Sequence, residues 1–145
     1  MKIAVGSDHR GLEFKKQVID MLKGKGYDVQ DFGTFSEAAV DYPDIAAAVS
    51  RVVADLQFNY GILICGTGNG MCIAANKVKG IRAVICWDTF GAQRARQHNN
   101  ANVICLGAER GISGMEDVLQ TFLTTQFEGG RHQRRLDKIR DLELS

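Results

Sequence analysis

Short runs of apolar, β-favouring residues alternate along the chain with longer stretches in which apolar residues recur every three or four positions. The run Gly61-Ile62-Leu63-Ile64-Cys65 shows no polar alternation, which is typical of a strand buried on both faces. The pattern predicts five strands: Lys2–Val5, Tyr27–Phe32, Tyr60–Cys65, Ile81–Trp87 and Val103–Leu106.

The stretches between the strands have the period of amphipathic helices. Pro43 stands near the start of the second helix, and Gly24 and Gly26 end the first. Because strands alternate with helices, we expect one domain over residues 1–145 in which helices cover both faces of a parallel sheet. The predicted helices contain Phe14–Leu22, Ile45–Leu56, Met71–Lys77, Phe90–Gln97, Met115–Leu123 and Arg131–Leu142.

The composition is that of an ordinary globular protein. Of the 145 residues, 45% are hydrophobic and 24% are charged, which excludes an intrinsically disordered chain. The 18 basic and 17 acidic residues leave a net charge of +1, so we expect neither a nucleic-acid partner nor a membrane partner. No apolar run approaches the roughly 18 residues of a membrane span, and the N-terminus lacks a signal-peptide pattern.

The four cysteines form no C-x-x-C pair, so their spacing fits neither a zinc site nor a small disulfide scaffold. This usage indicates a reducing, cytoplasmic compartment. Cys72, Cys86 and Cys105 lie in or beside apolar runs, and we interpret them as buried structural thiols.

Chemically competent residues follow several of the predicted strands. Asp8 and His9 come after the first strand, and Cys65 ends the third, directly before the glycine-rich segment Gly66–Gly70. His98 lies at the end of the helix that follows the fourth strand. Ligands of open parallel sheets bind beyond the carboxyl ends of the strands, so we expect these groups to converge on one edge.

The glycine-rich segment has two interpretations. Its alternating glycines can turn backbone N–H groups toward a phosphate or a developing oxyanion. A dinucleotide fingerprint instead requires glycine at position 71, where this chain has Met71, and it normally follows the first strand. Cys65 stands just before the predicted helix N-terminus, a position that favours the thiolate form of a cysteine.

Each of these residues also fits a purely structural role. Cys65 alone could be a packed strand cysteine, and His9 or His98 alone could be a surface or capping histidine. Arg131 and Arg135 belong to a basic helix that could simply be solvated. They are four residues apart, however, and two guanidinium groups on one helix face suit a phosphate monoester.

Several segments together resemble the type B ribose-5-phosphate isomerase family, which also includes galactose-6-phosphate and allose-6-phosphate isomerases. The resemblance covers nearly the whole chain, in order and at the family's spacing. The segments are Gly6-Ser7-Asp8-His9, Asp31-Phe32-Gly33-Thr34, Asp41-Tyr42-Pro43, Ile64-Cys65-Gly66-Thr67-Gly68, Ala74-Ala75-Asn76-Lys77, Arg96-Gln97-His98-Asn99 and Glu128-Gly129-Gly130-Arg131-His132.

The resemblance implies a three-layer, Rossmann-like α/β/α domain with a C-terminal helix that extends to a partner subunit. A homodimer is expected, and two dimers could pair into a tetramer. The implied reaction is an aldose–ketose isomerisation through an enediolate, and its expected substrate and product are D-ribose 5-phosphate and D-ribulose 5-phosphate. The implied mechanism uses no metal ion and no cofactor.

The resemblance also implies roles for individual residues. Cys65 matches the base that moves a proton between sugar carbons, and His98 matches the group that opens the sugar ring. Thr67 matches the residue that holds the enediolate oxygen, together with the amides of Gly66, Gly68, Asn69 and Gly70. The sugar-contacting positions match Asp8, His9, Tyr42 and Asn99, and Asp8 is also expected to be catalytic. The phosphate-binding positions match Arg110, Arg131 and Arg135.

The chain departs from the family pattern in three places. One branch of the family lacks the cysteine and has a carboxylate where this chain has Met71, so the chain matches the thiol branch. Arg110 matches its position only after a one-residue shift. Trp87 stands where small or polar residues are common, which leaves allose or galactose 6-phosphate as alternative substrates. A non-catalytic module that binds a sugar phosphate or a nucleotide is the alternative from another functional class.

Overall fold

Five parallel strands form one sheet in the computed structural model, which describes all 145 residues, Met1–Ser145. They are β1 (Lys2–Ser7), β2 (Asp28–Asp31), β3 (Tyr60–Cys65), β4 (Ala83–Ile85) and β5 (Val103–Gly107). Their order across the sheet is β2-β1-β3-β5-β4, so the three most buried strands, β1, β3 and β5, lie side by side in the middle.

Six helices accompany the sheet: α1 (Leu12–Gly24), α2 (Tyr42–Ala54), α3 (Asn69–Ala75), α4 (Thr89–Asn99), α5 (Met115–Thr124) and α6 (Arg131–Leu144). Apolar side chains of α1, α4 and α5 pack on one face of the sheet, and those of α2 and α3 pack on the other. The predicted three-layer architecture with a five-stranded parallel sheet is therefore confirmed. None of these helices has the length and apolar character needed to cross a membrane.

The predicted elements are all present, with small changes at their ends. The strand that changes most is β4, which was predicted over Ile81–Trp87 and spans only Ala83–Ile85. This strand pairs only with β5, because it lies at the edge of the sheet. The flanking Ile81 and Trp87 are apolar residues outside the ladder, and the apolar run therefore overestimated the strand.

The central strands define the two edges of the sheet. At the carboxyl edge, Cys65 pairs with Gly107, and β1 ends beside them at Ser7. At the amino edge, the backbone N–H of Gly61 donates to the carbonyl oxygen of Asn102 at 3.0 Å. Since a strand rises about 3.3 Å per residue, the two edges are roughly 16 Å apart.

Candidate active site

Cys65 lies at the floor of a cleft of about 230 Å³ at the carboxyl edge of the sheet. Its side chain belongs to the core cluster beneath α2 and α3, and the residue is only 5% exposed. The backbone N–H of Gly68 donates to the Sγ atom at 3.2 Å, which ties the sulfur to the glycine-rich loop. The residues that line the cleft are Asp8, Arg10, Tyr42, Cys65, Gly66, Thr67 and Gly70.

The glycine-rich loop is held against the end of β5. Gly68 has a φ of +87°, a left-handed conformation that glycine adopts without steric cost. A methyl group on Gly107 would lie 2.7 Å from the carbonyl oxygen of Thr67, so the two backbones touch. The Thr67 hydroxyl accepts a hydrogen bond from the N–H of Asn69 at 3.2 Å. These contacts fix the loop at the mouth of the cleft.

Asp8 and His9 begin a short 3-10 turn at the end of β1. Asp8 is buried, and its Oδ1 accepts hydrogen bonds from the N–H groups of Arg10 and Gly11 at 3.0 and 3.1 Å. The Nδ1 atom of His9 accepts a hydrogen bond from the N–H of Val40 at 3.2 Å. A neutral His9 therefore carries its proton on Nε2, where it can serve as a donor.

The sequence did not single out two charged residues at the cleft. The guanidinium of Arg10 pairs with the carboxylate of Glu109, and the pair lies over Gly66, where a methyl group would be 3.0 Å from both side chains. Both side chains are at least half exposed, so the ion pair adds little stability. Its effect is to wall one side of the cleft. Their position in the sequence could have indicated them, because Arg10 and Glu109 follow shortly after the ends of β1 and β5.

The Tyr42 ring forms another wall, at the start of α2. A methyl group on Gly70 would lie 2.6 Å from two of the ring carbons, so the ring covers this glycine closely. Tyr42 is 40% exposed, and its ring can therefore meet both the cleft and solvent.

Trp87 and Arg110 form a stacked pair beside the glycine-rich loop. The guanidinium carbon of Arg110 lies 4.5 Å from the centroid of the indole ring, within cation–π range. A methyl group on Gly107 would meet the indole at 2.9 Å, which places the ring against the backbone that supports Thr67. Arg110 therefore lies at the carboxyl edge of the sheet, but it is not among the residues that line the Cys65 cleft.

The prediction that His98 converges with Cys65 on one edge of the sheet is wrong. The helix α4 starts after β4 and runs back across the sheet, so that His98 and Asn99 lie just before the amino end of β5. A strand-following helix in a parallel sheet must return to the amino edge before the next strand can begin. The sequence contained a sign of this placement, because His98 precedes the first residue of β5, Val103, by only a few positions.

A second group of predicted site residues surrounds His98 at the amino edge. The rings of His98 and His132 are stacked with centroids 4.3 Å apart. His132 lies at the start of α6, between the exposed Arg131 and Arg135 on the same helix. Burial, the nearby His98 and Arg131 lower the pKa of His132, and the Glu128 carboxylate partly opposes this shift. The predicted site residues of one chain therefore form two groups at opposite edges.

The ribose/galactose isomerase family model matches residues 3–139, most of the chain. The chain is also 44% identical to the ribose-5-phosphate isomerase B of Escherichia coli, over 98% of this chain and 96% of that protein. The chain belongs to the ribose/galactose isomerase family.

Solved structures of this family share the fold closely. A ribose-5-phosphate isomerase B from Clostridium thermocellum superposes with a TM-score of 0.97 at 46% identity, over 99% of this chain and 98% of that one. The enzyme from Mycoplasma genitalium, solved with bound ribulose 5-phosphate, superposes with a TM-score of 0.94 at 46% identity, over 99% and 97% of the two chains. The family resemblance stated from the sequence is thus confirmed.

Of the other three cysteines, Cys72 and Cys105 lie on the α3 side of the sheet, whereas Cys86 belongs to the core cluster on the opposite face. A hydrogen bond with Cys105 lowers the pKa of Cys72 to about 7, although burial opposes the shift. Burial raises the pKa of Cys86 to about 12, and the Cys72 hydrogen bond together with burial raises that of Cys105. Cys86 and Cys105 are buried, as predicted, whereas Cys72 is partly exposed.

Proposed function

We propose that this protein is an aldose–ketose isomerase that interconverts D-ribose 5-phosphate and D-ribulose 5-phosphate through an enediolate. The observation that carries the proposal is the Cys65 sulfur at the floor of a polar cleft, 3.2 Å from a backbone donor. Family membership and the ribulose 5-phosphate bound to the Mycoplasma genitalium enzyme support the substrate class.

In the proposed reaction, His98 opens the sugar ring and the Cys65 thiolate then removes the proton from C2 of the open-chain aldose. The electrons of that bond form the enediolate, whose developing negative charge lies on oxygen. The same proton returns at C1, while the hydroxyl proton moves from O2 to O1, which completes the ketose. Fixed donors near the Gly66–Gly70 loop and the Thr67 hydroxyl stabilise the oxyanion, an effect worth about 10²–10³ in rate.

Substrate contacts are assigned by the positions of the remaining side chains. Asp8, His9 and Tyr42 lie at the carboxyl edge around Cys65, where they can bind the sugar hydroxyls. Asn99 lies at the other edge with His98. The phosphate is assigned to Arg131 and Arg135, with Arg110 from the carboxyl edge as a further contact. Binding energy from this remote group would orient the reacting carbons.

We further propose that two copies of the chain share each site. Cys65 and His98 are separated by the length of a strand within one chain, too far apart to act on one pentose. The Cys65 cleft, about 230 Å³, is also smaller than the roughly 300–1,000 Å³ of common ligand pockets. Beside α6 lies an apolar groove of about 460 Å³, lined in part by the exposed Ile139 and Leu142. A two-fold dimer that covers this groove would bring opposite edges of two chains together.

The test is turnover of a sugar-phosphate panel by the purified protein in excess chelator. Ribose 5-phosphate should be converted to ribulose 5-phosphate at a higher kcat/KM than allose 6-phosphate or galactose 6-phosphate. A hexose preference would contradict the assigned substrate and would implicate Trp87 in shaping the pocket. Binding without conversion of any sugar would indicate a non-catalytic module, and activity lost to the chelator would contradict a metal-free mechanism.

A further inference from the structure

Three side chains at the amino edge of the sheet form a set of metal-ligating groups, of which the proposed reaction uses only His98. His98 on α4, Glu128 in the segment before α6 and His132 on α6 each offer one ligand atom, and these atoms all lie within 4.8 Å of one another. No other group of three or more histidine, cysteine, aspartate or glutamate residues in the chain has its ligand atoms this close together.

The second observation is an unpartnered nitrogen inside this cluster. His132 is buried, with only 6% of its surface exposed, and its Nε2 atom has no hydrogen-bond partner. The Glu128 carboxylate oxygen lies 3.7 Å from this nitrogen, beyond hydrogen-bond distance. A buried polar atom without a partner is costly, so an Nε2 aimed at two other ligand groups indicates a missing ligand.

The backbone already holds the three residues together. The N–H of Glu128 donates to the carbonyl oxygen of Gln97 at 3.1 Å, which fixes Glu128 beside the end of α4. The N–H of His132 donates to the carbonyl oxygen of Gly129 at 3.1 Å, which closes the first turn of α6 directly after Glu128. Only side-chain rotations are then needed to bring the ligand atoms closer.

We propose that His98, Glu128 and His132 bind a divalent transition-metal ion of the zinc class, and that this ion inhibits the enzyme. Two imidazoles and one carboxylate are a known zinc donor set that leaves a fourth position for water. Tetrahedral zinc, with bonds of about 2.0–2.1 Å, requires ligand atoms about 3.4 Å apart. The two rings, now inclined by only 13°, must therefore rotate apart, and the exposed Glu128 must close over them.

The charges around the cluster limit which ions fit. Arg131 and Arg135 on the same helix repel any cation, so a hard ion that depends on oxygen ligands and charge, such as Mg²⁺, is disfavoured. A zinc-class ion gains instead from two imidazole nitrogens.

The inhibitory consequence rests on the proposed role of His98. A metal ion bound to this imidazole occupies the lone pair that ring opening requires. It would also sit beside Arg131 and Arg135, the assigned phosphate contacts. The ion is therefore an inhibitor in this proposal and takes no part in the isomerisation.

The test is a zinc titration of chelator-stripped, full-length protein against a chromophoric zinc indicator. Wild type should bind one zinc ion per chain, and Glu128→Gln should weaken binding at least about tenfold, since even lesser changes around metal sites cost 10–100-fold. Glu128 is exposed, so this variant should fold. Glu13→Gln, which removes an exposed carboxylate from α1, is the matched control and should bind like wild type. His132→Gln removes a second proposed ligand and should also weaken zinc binding.

Cobalt spectra and kinetics separate the remaining outcomes. Co²⁺ should give a tetrahedral spectrum without a thiolate charge-transfer band, and zinc should inhibit wild type far more than Glu128→Gln, each measured against its own zinc-free rate. Equal affinity of both proteins, or a thiolate band that disappears in Cys65→Ala, would overturn the site. Zinc that binds at Glu128 without inhibition would keep the site and contradict the role of His98.

Discussion

In the proposed reaction, the Cys65 thiol is the group that moves the proton between the sugar carbons. Its sulfur lies between a polar cleft and the apolar core, and it accepts a hydrogen bond from the Gly68 N–H at 3.2 Å. We predict that Cys65→Ala lowers kcat by about 10²–10⁴, the usual contribution of a positioned base, and changes KM little. Steady-state kinetics with ribose 5-phosphate measure both constants.

Cys72→Ala is the matched control for this change. It removes a partly exposed thiol on α3 whose Sγ is engaged with the carbonyl oxygen of Ala83 at 3.4 Å, outside the cleft. It should retain most of the wild-type kcat. A Cys65→Ala protein that kept near-normal kcat would remove Cys65 from the role of base.

His132 should make stability depend on pH. Burial, His98 and Arg131 lower the pKa of its imidazole in the folded state below the ordinary value of about 6.5. The unfolded chain then binds more protons than the folded chain, so the free energy of unfolding should fall as the pH drops through about 6.5 toward the folded pKa. Above about pH 6.5 the imidazole is neutral in both states, so the free energy of unfolding no longer depends on its protonation.

Chemical denaturation at pH 7.5 and 5.5 tests this dependence. Wild type should lose more stability between the two values than His132→Gln, in which no imidazole titrates at this position. Each protein is compared with itself, so the packing lost in the variant cancels. Equal losses in the two proteins would contradict the lowered pKa of His132.

At the scale of elements, the carboxyl end of β5 supports the glycine-rich loop. We predict that Gly107→Ala lowers kcat by up to about 10²-fold, because a methyl group 2.7 Å from the Thr67 carbonyl oxygen must displace the loop backbone. The new group would also meet the Trp87 indole at 2.9 Å. Kinetics and a thermal unfolding curve separate a displaced loop from a general loss of stability.

Gly24→Ala is the control at the end of α1, where an added methyl group meets nothing within 4 Å. This variant should match wild type in kcat and unfold at a similar or higher temperature. If Gly107→Ala showed wild-type kinetics, the contact between β5 and the loop would not position Thr67.

Element boundaries illustrate what pattern recognition can and cannot do. Tyr60–Cys65 was predicted with the observed bounds, because an unbroken apolar run ends at glycine. β4 was predicted too long, because the apolar residues beside it lie outside the ladder with β5: Ile81 is buried by other contacts, and Trp87 is exposed. Gly107 was not recognised as a loop support, because a close approach between distant backbones leaves no local signal.

At the scale of the whole molecule, the proposed dimer makes a quantitative prediction. Cys65→Ala and His98→Ala should each be nearly inactive, yet a mixture of the two should regain activity after subunits exchange. If each site takes Cys65 from one chain and His98 from the other, a mixed dimer contains one intact site and one doubly altered site. Random exchange of equal amounts should then restore about a quarter of the wild-type activity.

The control is a mixture of Cys65→Ala with a Cys65→Ala, His98→Ala double variant, which can form no intact site. Mass spectrometry of differently tagged chains should verify that mixed dimers form. Mixed dimers that remained inactive would contradict a site shared between two copies of the chain.

The sequence by itself determined the α/β class, the parallel sheet and the residues that follow each strand, because hydrophobic periodicity and strand-end chemistry are local properties. It also determined the family, through motifs spread along nearly the whole chain. The tertiary structure decided which strands are neighbours, and it placed His98 at the edge opposite Cys65. It also brought His98, Glu128 and His132 together and paired Arg10 with Glu109. These arrangements depend on how helices cross back over the sheet, a long-range property that no window of sequence contains.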